Sequence, residues 1–145
     1  MKTLAALAMC AGLALVAAAA DDDTKTDQDK LQGPWKLTAL ESDGKKASDD
    51  AVKAMRMTVK GDRLYLKEDN KEEEGTFKID PTKSPKTMDL TIKVGEKMDT
   101  VRLIYELKGD DLKLCGGKLG KDRPAEFATK TGSGLHLLIF KREKE

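Results

Sequence analysis

Histidine is nearly missing from this 145-residue chain, which has one, and cysteine is scarce, with two. A closed tetrahedral metal site takes four nitrogen or sulfur ligands, which a lone His136 and Cys115 cannot supply. Net charge is missing as well: 27 basic side chains face 26 acidic ones, with no basic block anywhere. That balance argues against nucleic acid as a partner and against electrostatic attachment to anionic lipid. Long apolar runs are confined to the first twenty residues, so nothing after them is expected to span a membrane.

Those twenty residues stand apart. Lys2 gives a short positive start, residues 4–16 form an apolar run, and Ala18-Ala19-Ala20 supplies a small-residue cleavage pattern before Asp21-Asp22-Asp23. This is the layout of a secretory signal peptide over residues 1–20, and it predicts export to the periplasm or beyond. Lipid anchoring at Cys10 is disfavoured: Met9 stands where lipoprotein processing wants a small residue, and the apolar run continues past the cysteine. Cleavage near Ala20 removes Lys2 and Cys10, which balances the charge and leaves Cys115 without a disulfide partner. Residues 21–30 carry no apolar side chain and read as a disordered acidic spacer. One domain over residues 31–145 remains, long enough to be stabilised by burial alone.

From Leu31 onward the chain alternates apolar and polar residues in short runs, the two-residue period of half-buried strands. Strands are expected at 35–41, around Met57 and Val59, at Leu64 and Leu66, at 75–79, 88–94, 101–107, around Leu112 and Leu114, at 126–129 and at 135–142. One short helix, capped by Ser48 or the aspartates after it, is expected near Ala51 to Met55. Eight or nine short strands joined mostly by turns predict an all-β fold, an antiparallel up-and-down barrel without exposed sheet edges. The inward set begins Trp35, Leu37, Ala39 and is almost wholly apolar.

Gly33-Pro34-Trp35 at the first strand looks like the G-x-W signature of lipocalin-type (calycin) barrels. Further matches are Leu31-Gln32-Gly33, Asp43-Gly44-Lys45-Lys46, 75–81, 85–90, 104–107, 112–115, 123–127 and Gly132-Ser133-Gly134. Over these residues the chain resembles the lipocalin-like domain of uncharacterised exported proteins abundant in planctomycete bacteria. The resemblance implies a fold in which Trp35 closes one end of the barrel and Arg142 packs across it by cation–π contact. It implies no activity.

Catalytic signals are weak. His136 lacks an evident partner, and Cys115 lacks the positioning motif of an activated thiol. The run 116–121 departs from a phosphate loop in spacing, and Asp122 stands where Ser or Thr is needed. No catalytic residue, metal or cofactor is therefore assigned. The remaining expectation is a small hydrophobic ligand in or at the mouth of the barrel, near Tyr105, Met57, Met88, Leu103 and Phe77, within a largely filled interior. The alternative is a ligand-free interaction or envelope module working through its outer face.

Overall fold

The structure is a computed structural model of the whole chain and describes residues 26–117 and 122–143. The expected signal peptide over residues 1–20 lies outside the described residues, as do residues 21–25 of the expected spacer. Residues 26–31 form a short helix, α1. The strands follow as β1 (Gly33–Ser42), β2 (Lys45–Lys46), β3 (Met55–Lys60), β4 (Arg63–Glu68), β5 (Lys71–Asp80), β6 (Lys86–Val94), β7 (Lys97–Lys108), β8 (Asp111–Gly116) and β9 (His136–Arg142). A second short helix, α2 (Asp49–Lys53), sits between β2 and β3, and the Ser48 hydroxyl accepts from the Ala51 amide at 3.3 Å.

All pairings are antiparallel and, apart from β2, run between chain neighbours until β9 returns to β1. The return pairs Trp35 with Arg142 at one end and Ser42 with His136 at the other, which closes eight strands into a barrel. The short β2 is an extra strand on the free edge of β1, opposite Glu41 and Ser42. The meander follows from sequence: turns at Gly61, Gly95 and Gly109 take positive φ and join successive strands directly.

Three details differ from the sequence reading. Residues 126–129 do not form a strand; they cross the outer face of the barrel instead. There the Thr129 hydroxyl donates to Glu41 Oε1 at 2.5 Å, and Cys115 Sγ lies 3.7 Å from the Glu126 carbonyl. Side-chain hydrogen bonds, to another side chain and to backbone carbonyls, hold this segment, and alternation does not record them. Next, β1 and β9 shift register between Leu37 and Ala39. A bulge reverses the parity of the strand, so Ala39 is exposed and Leu40 packs against the core. Lastly, residues 26–30 are helical where composition alone reads as spacer, and two short helices stand where one was expected.

The reason for α1 lies in what it covers. Leu31 is buried, and so is Asp27, whose carboxylate accepts from the Tyr105 hydroxyl at 2.8 Å and pairs with Lys86 Nζ at 2.9 Å. Gln32 grips the β3–β4 turn from both sides, donating to the Gly61 carbonyl at 2.9 Å and accepting from its amide at 2.7 Å. Below this lid Trp35 is fully buried, its indole N–H donating to the Leu31 carbonyl at 2.9 Å. The Arg142 guanidinium lies 4.3 Å from the Trp35 ring centroid and donates to the carbonyls of Gln32 and Lys30. Gly33 has φ of 107°, a backbone conformation that glycine adopts without the strain an L side chain would bring.

One end of the barrel is thus sealed by Trp35, Arg142 and α1. Truncating Trp35 to Ala should cost about 3–5 kcal/mol, and Arg142→Met about 2–3 kcal/mol, since a cation–π contact and two charged hydrogen bonds go together. Urea unfolding of the two variants checks both values. The Tyr105 hydroxyl supplies a pH test. Burial, then its bond to Asp27, raises its pKa far above the ordinary phenol value. A raised acid favours the folded state only while it stays protonated, so that contribution is whole below the unfolded phenol pKa of about 10 and falls as pH rises beyond it. Denaturation between neutral and strongly alkaline pH should show this decline in the parent protein and not in Tyr105→Phe.

Candidate functional site

Away from the sealed end the barrel is hollow. Inward residues of all eight closing strands surround a cavity of about 700 Å³, in the range of ~300–1,000 Å³ that small-molecule sites occupy. Its wall is made by Leu40 of β1, Met55 and Met57 of β3, Leu64 and Leu66 of β4, and Gly75 of β5. Leu90 and Ile92 of β6, Val101 and Leu103 of β7, Leu114 and Gly116 of β8, and Leu138 and Phe140 of β9 complete it. Polar groups gather at the mouth: Ser42, Glu73, Glu74 and His136, with Gly117 beside them.

The hollow has a local cause. The large inward side chains Trp35, Phe77, Met88 and Tyr105 are buried and stay off the cavity wall, whereas the wall, Phe140 apart, has mid-sized aliphatic residues, methionines and glycines. Gly116 is needed there, because a Cβ would fall 2.1 Å from Leu103 Cδ2. The β1 bulge contributes as well. It turns Leu40 and Ser42 inward, and Ser42 Oγ lies 2.7 Å from His136 Nδ1 across the β1–β9 pair.

The expected lining residues divide accordingly. Met57 and Leu103 stand on the cavity wall. Phe77, Met88 and Tyr105 do not; they pack in the closed half, and the Tyr105 hydroxyl is taken by Asp27. The expected largely filled interior is corrected in the same sense: the filling is real but confined to one end. Leu40, Ser42 and Glu73 were missed at the sequence level. Glu73 looks like one of three surface glutamates in a row; its position two residues before inward Gly75 was the available clue.

The thiol and the imidazole are kept apart by register. Cys115 pairs with Leu137, and Gly116 with His136, on neighbouring strands. Successive side chains point to opposite faces, so His136 looks into the barrel while Cys115 is buried beneath the 126–128 segment outside it. Burial pushes the Cys115 thiol pKa up, the wrong direction for a nucleophile. No group of three or more metal-binding side chains gathers among the described residues. No helix among them is long and apolar enough to cross a membrane. A shallower outer groove of about 380 Å³ runs beside Lys83–Lys86 and Phe127 and lacks the enclosed apolar wall. Comparison of the chain with protein-family models, curated proteins and solved structures finds no match.

Two outcomes follow. A thiol-specific reagent should leave native Cys115 unmodified over hours and label it fully in denaturant, as mass spectrometry will read. Gly116→Ala should lower stability by about 1–3 kcal/mol through overpacking against Leu103, measurable as a fall in the urea midpoint.

Proposed function

We propose that this protein is an exported, lipocalin-like carrier that holds a small apolar molecule in the open half of its barrel. The observation that carries the reading is the one-sided hollow: a cavity of about 700 Å³ whose wall is apolar and whose polar lining groups, among the described residues, sit at the mouth. Emptying an apolar cavity forfeits the dispersion contacts of its lining, at roughly 24 cal/mol per Å³. A ligand with an apolar body restores those contacts. The export half of the proposal rests on residues 1–20, whose charged start, apolar run and small-residue end match a cleaved signal. The calycin-like reading is supported by Gly33, Trp35 and Arg142, which meet at the sealed end as the resemblance implies.

The alternative, a ligand-free interaction module, would be favoured by a contiguous exposed apolar patch. Among the described residues Met98, 62% exposed, is the one large apolar side chain standing out in solvent. Isolated residues of this kind are ordinary. The outer face otherwise carries exposed ion pairs such as Arg63–Glu74 at 3.0 Å, which contribute little to stability.

Native mass spectrometry of protein purified from its own host should show a co-purifying molecule of small-metabolite or lipid mass. A clean apo mass, together with no uptake of an environment-sensitive apolar dye, rejects the carrier reading. As a matched control, Leu66→Trp places an indole in the open half and should abolish dye uptake, with a stability change of no more than about 1–3 kcal/mol.

A further inference from the structure

Among the described residues, the Asp, Glu, Lys and Arg side chains that line the cavity mouth are all glutamates. Among the described residues the lining contains two glutamates, one serine and one histidine, and neither lysine nor arginine. Glu74 is spoken for: its carboxylate pairs with Arg63 at 3.0 Å on the outside of the barrel. Glu73 differs. It shares the parity of inward Gly75 and Phe77, pairs with Leu66 across β4 and β5, and makes no hydrogen bond or ion pair among the described residues. Asp99, opposite Ile92 on β6 and β7, has the same inward parity one step farther out. Lys71 and Lys97 share that parity too, but they begin their strands at the hairpin ends and do not line the cavity. Ser42 and His136 are hydrogen-bonded to each other at the rim.

Resting on the carrier reading, we infer that the occupant is a cationic amphiphile, an apolar body ending in an ammonium group that meets Glu73, and not a fatty-acid anion. Charge decides this. A carboxylate-headed ligand needs a cation or a set of hydrogen-bond donors aimed at its head, and Glu73 meets it instead with like charge. An amine head, protonated at neutral pH as lysine is, gains an opposite charge where its apolar tail reaches the wall of Leu66, Leu90 and Leu138. Since Glu73 is solvent-exposed, each term is a few-fold effect at such a site. Attraction of one head and repulsion of the other together give about a tenfold preference.

The test displaces a neutral apolar dye from the host-purified protein with dodecylamine, dodecanol and dodecanoate, each below its micelle concentration. Dodecylamine should bind about tenfold more tightly than dodecanoate, with dodecanol between them. Glu73→Gln should shrink that ratio to about twofold and leave dodecanol unchanged; at an exposed position the variant is expected to fold, and dodecanol binding verifies that the cavity is intact. Dodecanoate binding as tightly as dodecylamine, or a ratio unaffected by Glu73→Gln, overturns the head-group inference while the carrier reading survives. Failure of the dye and all three probes to bind overturns both.

Discussion

The closure of the sheet by β1 against β9 is the constraint on which the rest depends. That seam sets Trp35 beside Arg142 at one end and Ser42 beside His136 at the other. The first pair sits under α1, in a cluster of hydrogen bonds from a guanidinium and an indole to carbonyls of residues 30–32. The second pair stands at an opening. One seam thus produces both a plug and a mouth, and the barrel is filled at one end and hollow at the other.

The plug is polar where it is deepest. Asp27 is buried with two partners, Tyr105 and Lys86, and no buried side-chain polar atom among the described residues lacks a hydrogen bond. A buried carboxylate with one partner removed is costly, so α1, once docked, is held by interactions that cannot be lost singly without penalty. Among the described residues the open half has no comparable network. Its wall is mostly aliphatic and includes Met55 and Met57, whose unbranched side chains adapt to irregular volume.

Much of this arrangement could be read from the residues. Alternation at 75–79, 88–94 and 101–107 located β5, β6 and β7, because half-buried strands leave a two-residue trace. The resemblance to lipocalin-type barrels, carried by Gly33, Trp35 and Arg142, implied the sealed end where Arg142 lies over Trp35. What escaped had physical reasons. The β1 bulge is invisible to period counting, yet it swaps Ala39 for Leu40 and brings Ser42 to the cavity. Residues 26–30 look unfit for burial until Tyr105 and Lys86 are seen waiting for a carboxylate. The site was half legible: Met57 and Leu103 have the right face and depth, but the depth of Phe77, Met88 and Tyr105 depends on barrel stagger, which a single strand does not record.

Xenon crystallography tests the central claim most directly, since xenon enters dry apolar cavities and not packed cores. Crystals pressurised with xenon should show density among Leu64, Leu90 and Leu103, in the open half, and none around Trp35 and Arg142. An intact barrel with no xenon inside, or with xenon at the Trp35 end, would contradict a container sealed at one end and hollow at the other.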